Sequence, residues 1–329
     1  MKIIDLFSGI GGFSLGFQRA GYEFSEHYFS EIDKHAIANY KYNFPNAKYI
    51  GDITSIHGGD FTDIDIITFG SPCQDFSLAG RRAGLKGAKS SLIEHAIALI
   101  AHVRPGLFVW ENVKGTFSSN AGADFWAILQ AFANIGGYTI EWQLLNTKWV
   151  LPQNRERIYL IGHLAGRSEP GVFPITEDDC APRKEKTYQF QAKLSGTLKA
   201  NGNMNADDTY IIPKTASTLT GGGHSGGLHS DMTIIRQLPR GKNKGADLKI
   251  CPTISSNAFQ ENNLLRGVRR LTEIECERLQ GFPDNFTQYG DYNGTIKPIA
   301  KTQRYKLIGN AVTVDIVELI AKRLKFLKQ

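Results

Sequence analysis

Cys73, within "GSPCQDFSLAG" (70–80), stands directly behind Pro72, where the apolar run "DIDIITFG" gives way to polar residues. A thiol held at a strand end becomes a nucleophile when cationic groups or backbone N–H groups lower its pKa. The next apolar run, "GLFVWENV", brings up Glu111, a carboxyl placed one strand over that can serve as a general acid. Farther on, "QNRERIYLIG" supplies Arg155 and Arg157, which as i and i+2 residues share one side of an extended chain. Behind the cysteine, "RRAGLKGAK" sets Arg81, Arg82, Lys86 and Lys89 among glycines, a basic loop able to close over an anionic polymer. Each feature alone has an ordinary structural explanation: a turn cysteine, a capped helix, a surface ion pair, an exposed loop. Their order on successive strand ends is the specific signal.

Those strand ends belong to an α/β pattern in the first half of the chain. Short apolar runs at 2–7, 26–32, 63–70, 106–113, 138–146 and 157–164 alternate with amphipathic stretches such as 90–103 and 123–136. The pattern predicts a mixed, mostly parallel sheet with helices on both faces. Directly after the first run comes "DLFSGIGGFSLGF", whose Gly9, Gly11 and Gly12 let backbone approach a ligand. Glu31 follows 19 residues after Gly12, Asp52 21 residues later, and Cys73 a further 21. In a parallel sheet these positions share one crevice, where acids can accept hydrogen bonds from ribose hydroxyls. There is no GxxxxGK[ST] phosphate cradle and no lysine beside the glycines. The pattern therefore favours a cofactor with adenosine and no phosphate, S-adenosylmethionine, over a nicotinamide dinucleotide.

Composition sets the outer limits. The chain has 329 residues, is 41% hydrophobic and 21% charged, and carries a net charge of +6. These values fit a globular protein with a full core and hint at an anionic partner. No apolar run approaches the ~20 residues of a membrane helix, and the start lacks the features of a signal peptide, so no membrane partner and a cytoplasmic location are expected. The four cysteines are widely spaced with no CxxC pair, which predicts free thiols and no metal site. From about residue 166 the chain turns rich in Gly, Asn, Thr, Ser and Pro, and at 313–327 it becomes helical again. The organisation expected is a catalytic domain at 1–182, a smaller β- and loop-rich insert with its hinge at 183–300, and a segment at 301–329 that returns to the catalytic domain.

The ordered motifs resemble those of the bacterial and phage DNA (cytosine-5) methyltransferases across nearly the whole chain. "DLFSGIGG" is similar to the family's cofactor loop, "SEID" and "GDI" to its two acidic positions, and "GSPCQDFS" to its nucleophile motif. "ENV", "QNRER", "RRLTEIECERLQGFPDNF" (269–286) and "YKLIGNAV" (305–312) complete the likeness. The resemblance implies a Rossmann-like methyltransferase fold with an inserted target-recognition domain, and a restriction–modification enzyme acting as a monomer on double-stranded DNA. A cognate restriction endonuclease would act separately. It implies a Cys73 thiolate that adds to C6 of a flipped cytosine, with Glu111 at N3 and with Arg155 and Arg157 serving the base. S-adenosylmethionine would be held by Phe7, Gly9, Ile10, Gly11, Gly12, Glu31, Ile32, Asp52, Ile53, Pro72, Leu92, Asn310 and Val312. Arg81 and Arg82 would meet DNA. Of three Thr-(Leu/Ile) pairs that could mark the recognition region, Thr253-Ile254 is favoured over Thr218-Leu219 by its distance from the 269–286 block. Asp75 departs from the family's small residue there. A tRNA substrate and a non-catalytic DNA-binding regulator are the competing readings.

Overall fold

The computed structural model describes residues 1–71, 92–117, 119–180, 235–237, 246–248, 251–252, 263–265 and 269–327. Its centre is a seven-stranded sheet in the order β3-β2-β1-β4-β5-β8-β6. The strands are β1 (Lys2–Leu6), β2 (Glu26–Ser30), β3 (Lys48–Tyr49), β4 (Ile66–Phe69), β5 (Leu107–Val113), β6 (Tyr138–Asn146) and β8 (Glu156–Leu164). Strands β1 to β5 are parallel to their neighbours, and β8 runs antiparallel between β5 and β6. The mostly parallel sheet and its helices agree with the expected architecture. The antiparallel strand that makes the sheet mixed is β8, because β6 and β8 are joined without a crossover helix.

Central strands buried on both faces need near-continuous apolar sequence, which "IITF" and "LFVW" supply. Helices α1 (Gly12–Arg19) and α7 (Val314–Arg323) cover one face through Phe13, Phe17, Val317 and Ile320. Helices α3 (Leu92–Val103) and α4 (Ala123–Ala133) cover the other through Ile93, Ile100, Ile128 and Phe132. Helix α2 (Lys34–Asn43) packs with α6 (Lys301–Asn310) around Phe29, Phe286 and Leu307. Two helices end earlier than their periodicity suggests. Gly136 and Gly137, both at positive φ, follow α4. After α7, Lys325–Phe326 leave the helix to pair with β9 (Ser168–Glu169). Among the described residues no helix is long and apolar enough to cross a membrane.

The inserted region contributes a four-stranded sheet from β10 (Ile235–Gln237), β11 (Ala246–Leu248), β13 (Asn263–Leu265) and β14 (Arg269–Arg270). A short strand, β12 (Cys251–Pro252), pairs in parallel with β7 (Gln153–Asn154). Helix α5 (Glu273–Leu279) then starts on a capping box formed by Thr272 and Glu275. The fully buried Glu277 accepts from Arg304 Nη2 at 3.0 Å, from the Thr287 hydroxyl and from two backbone N–H groups. That charge cluster joins α5 to α6. Between them a hairpin, β15 (Tyr289–Tyr292) and β16 (Thr295–Pro298), turns at Asn293 and Gly294, both at positive φ as a primed turn requires.

Beneath the strand ends lies a polar cluster without solvent access. Asp5 of β1 accepts from Thr68 of β4 at 2.9 Å and from Ser14 of α1 and Tyr40 of α2 at 3.1 Å each. His27 Nε2 contacts the same two hydroxyls at 3.0 and 2.8 Å. Burial pushes the Asp5 carboxyl up to about 7 despite those hydrogen bonds, and burial pushes His27 down to about 4. Between pH 4 and 6.5 the folded pair thus holds one proton, on Asp5, and the unfolded pair also holds one, on histidine. Their linkage cancels. Asp5→Asn should expose the histidine, so that stability rises with pH by up to about 1.4 kcal/mol per unit in this window. His27→Gln should do the opposite, with stability falling as pH rises toward about 7. Urea titrations at several pH values would show these opposed slopes; equal slopes would mean that at least one of the two groups keeps its ordinary titration in the folded chain.

Candidate cofactor and active site

A cavity of about 450 Å³ opens outside the carboxyl ends of β1, β2, β4 and β5. This is the topological switch point, since the chain passes from β1 to β2 on one side and to β4 on the other. At one end are Phe7 and Gly9, then Ser30 to Asp33, Asp52 and Ile53. At the other are Gly70, Ser71, Glu111, Asn112, Val113, Arg155 and Arg157, with Leu92, Leu307, Gly309 and Asn310 completing the wall.

The first end is built by the turn after β1. Phe7 and Gly9 both have positive φ, and the Cβ position of Gly9 faces open space. The Gly9 N–H donates to Glu31 Oε2 at 2.9 Å, while Glu31 Oε1 accepts from the N–H groups of Ile32 and Asp33. One carboxylate therefore fixes both the turn and the end of β2, and a carboxylate has lone-pair capacity beyond these three bonds. Ile32 is 74% exposed at the cavity lip, leaving an apolar face for a planar ring. Asp52 caps a 3₁₀ turn by accepting from the Thr54 N–H at 3.0 Å.

Four expected cofactor residues lie behind this wall. Ile10 is buried in the core beside α2, Gly11 rests against Tyr40 and Phe44, and Gly12 rests against Val312. Val312 itself packs with the α1 and α7 residues. The glycines are there so that the turn can be covered closely by side chains, and Val312 is one of the covering groups. Ser30, Asp33, Leu307 and Gly309 line the cavity and were not anticipated; they flank motif residues that were.

At the second end Glu111 is 8% exposed. Its Oε1 lies 3.2 Å from Arg157 Nε, yet it has no hydrogen-bond partner among the described residues. Charge attraction is present, but the guanidinium N–H is not aimed at the oxygen. Oε2 sits over Gly70, where a Cβ would come within 3.2 Å. Asn112 donates to the Ser71 carbonyl at 3.1 Å, and Trp110 Nε1 donates to the Ser71 hydroxyl at 3.0 Å. Strand β5 thereby clamps the residue that leads into Pro72 and Cys73. Pro72, Cys73, Asp75, Arg81, Arg82, Thr218-Leu219 and Thr253-Ile254 lie outside the described residues.

Arg155 and Arg157 both reach the cavity wall, as their spacing suggests, but they are used differently. Arg155 is 4% exposed and donates to the carbonyls of Ala311 at 2.9 Å and Gly309 at 3.4 Å. It holds the segment that carries Asn310. Arg157 donates to the Glu156 carbonyl at 2.7 Å and stands beside Glu111.

A mostly parallel sheet with a cavity outside its strand ends, at the switch point, defines a doubly wound α/β fold of the kind that binds nucleotide-bearing ligands. In fold the chain is similar to a protein assigned as a DNA modification methyltransferase encoded within an E. coli prophage, with a TM-score of 0.60, 24% identity and 98% of both chains covered. It is likewise similar to the S. pombe Dnmt2 methyltransferase, with a TM-score of 0.58, 20% identity, and 97% and 96% of the two chains covered. The chain belongs to the C-5 cytosine-specific DNA methylase family, whose model matches residues 1–326. It is 31% identical to the Type II methyltransferase M.Bsp6I of Bacillus sp. (strain RFL6) over 98% of each protein. It is 32% identical to the Type II methyltransferase M.NgoBI of Neisseria gonorrhoeae, over 98% of this chain and 92% of that one.

The Gly70 contact generates a sharp expectation. Gly70→Ala must displace the Glu111 carboxylate by a few tenths of an ångström. Methyl transfer should fall by roughly tenfold, since small misplacements of reacting groups are costly, while Tm moves by only a few degrees. Unchanged turnover would show that the Glu111 position is not critical.

Proposed function

We propose that this chain transfers a methyl group from S-adenosylmethionine to C5 of a cytosine flipped out of duplex DNA, through a covalent bond between Cys73 and C6. The observation that carries this reading is the single cavity joining the Gly9–Glu31 end to Glu111 and Arg157. The residues fit the cofactor: an open glycine turn, a carboxylate with remaining acceptor capacity, and an exposed isoleucine on the lip. Glu31 would hold the ribose hydroxyls, Ile32 and Phe7 the adenine faces, and Asp52 the adenine edge. Asn310 would border the amino-acid end. When bound, the cofactor supplies an electrophilic methyl group.

The chain's own groups account for the rest of the reaction. The Cys73 thiolate adds to C6, breaking the C5–C6 double bond. Glu111, whose Oε1 lacks a hydrogen-bond partner among the described residues, donates a proton toward N3 so that the displaced electrons form a neutral enamine. Arg157 beside it contacts O2. N3 returns its proton to Glu111 as C5 takes the methyl group; C5 then loses its own proton to a base, and the thiolate leaves as the C5–C6 double bond re-forms. Flipping is required because C5 and C6 are enclosed by the base stack. Arg81 and Arg82 contact the DNA backbone, and the region 183–300 reads the target sequence, with Thr253-Ile254 at its centre. The enzyme acts as a monomer, in the cytoplasm, beside a separate cognate endonuclease.

Trapping tests the chemistry. Duplex DNA with 5-fluorocytosine at the target should yield a denaturant-resistant protein–DNA adduct only when S-adenosylmethionine is present, and Cys73→Ala should abolish it. Glu111→Gln should slow adduct formation by roughly 10²- to 10⁴-fold, the range for losing a general acid. An adduct that persists in Cys73→Ala would sink the assignment of the nucleophile.

A further inference from the structure

Two walls of the cavity that are far apart in sequence are joined by one ion pair. Asp33 lines the cavity at the end of the Glu31–Ile32 lip, and Leu307 lines it from α6. Lys306, the residue before Leu307, places its Nζ 2.6 Å from Asp33 Oδ2. Asp33 Oδ1 is occupied separately: it caps α2 by accepting from the N–H groups of His35 at 2.8 Å and Ala36 at 3.3 Å. Burial pushes the Asp33 carboxyl up, but Lys306 and the two N–H groups outweigh it and hold the group below its ordinary value. It is charged at neutral pH.

Asp33 also controls the lip. Its backbone N–H donates to Glu31 Oε1 at 3.0 Å, so a displacement of Asp33 is passed to the carboxylate that holds the glycine turn. The unit that bears Lys306 touches α2 elsewhere as well. Tyr292 of the hairpin meets His35 Nδ1 at 2.6 Å, and Asn39 donates to the carbonyls of Phe286 and Tyr289. The Asn39 bonds hold the middle of α2, and the Tyr292 bond holds its first turn. Among the bonds named here, only the Lys306–Asp33 pair joins a residue that lines the cavity to α6.

We propose that Lys306 is a positioning residue: its ion pair with Asp33 straps the α6 wall to the Glu31–Ile32 lip and so sets cofactor affinity without touching the cofactor. This rests on the S-adenosylmethionine reading of the cavity.

A double-mutant cycle tests it, because the two partners can be neutralised separately. Asp33→Asn keeps an oxygen to cap α2 and removes the charge; Lys306→Met removes the ammonium from a side chain that is 46% exposed. Binding of S-adenosylhomocysteine to the full chain would be measured by calorimetry. Each single variant should bind roughly three- to fivefold more weakly, as fits a partly exposed pair. The double variant should be no weaker than either single one, Lys306→Arg should restore affinity, and high salt should shrink the difference. Amide exchange in residues 31–36 of the cofactor-free protein should quicken in Lys306→Met. Unchanged affinity in Lys306→Met, or additive losses in the double variant, would overturn the strap. If the unmodified chain fails to bind the probe, the cofactor reading falls, and exchange at 31–36 still decides whether the strap exists.

Discussion

A single carboxyl group, that of Asp5, sits where β1, β4, α1 and α2 meet, and it receives a hydrogen bond from each of the other three. Such a group is tolerable in a solvent-free interior because both oxygens are engaged and burial raises its pKa to about 7, so that it is uncharged in mildly acidic solution. Ser14 lies two residues beyond the glycine turn, and Tyr40 stacks on Phe29 of β2 at 4.1 Å. The floor of the cavity is thus set by directional bonds, where apolar packing alone would leave the turn free to slide. His27 completes the cluster with the complementary preference, neutral where an exposed histidine would begin to charge.

Above that floor the cavity takes its walls from both ends of the chain. The turn after β1 and the end of β2 meet α6, and the arginine that holds α6 in place, Arg155, comes from the middle of the sequence. The two arginines of one short motif consequently face different partners: Arg155 holds the backbone of the 309–311 segment, and Arg157 stands beside the Glu111 carboxylate. Glu277 joins α5 to α6 in a different way: its buried carboxylate is matched by Arg304, the Thr287 hydroxyl and two backbone donors.

Much of this was legible in the sequence because strand ends in a parallel sheet point to one place. Phe7, Gly9, Glu31, Asp52, Glu111 and Arg157 could be placed from the end of each apolar run, and the cavity gathers them. Ile10, Gly11, Gly12 and Val312, expected as cofactor contacts, pack behind the cavity wall instead of lining it, and the reason is physical. A glycine that admits a ligand and a glycine that admits a neighbouring side chain look alike until the tertiary packing is known. The antiparallel course of β8 was also hidden, since a strand buried on both faces has the same apolar pattern in either direction. The Lys306–Asp33 pair joins residues 273 positions apart, beyond any local pattern.

The two-residue pairing of β12 with β7 bears on how such an enzyme could change what it reads. Cys251–Pro252 lies between the strands of the four-stranded sheet in the chain, yet its partner Gln153–Asn154 immediately precedes Arg155. A segment grafted into the proposed recognition region, 183–300, therefore cannot be matched at its two ends alone. It has to reproduce an internal foothold beside Arg155 and Arg157, or the graft will misplace the segment that carries Asn310. Chimaeras that retain this foothold and exchange the loops on either side of it are the ones that should inherit a new target while keeping the old chemistry.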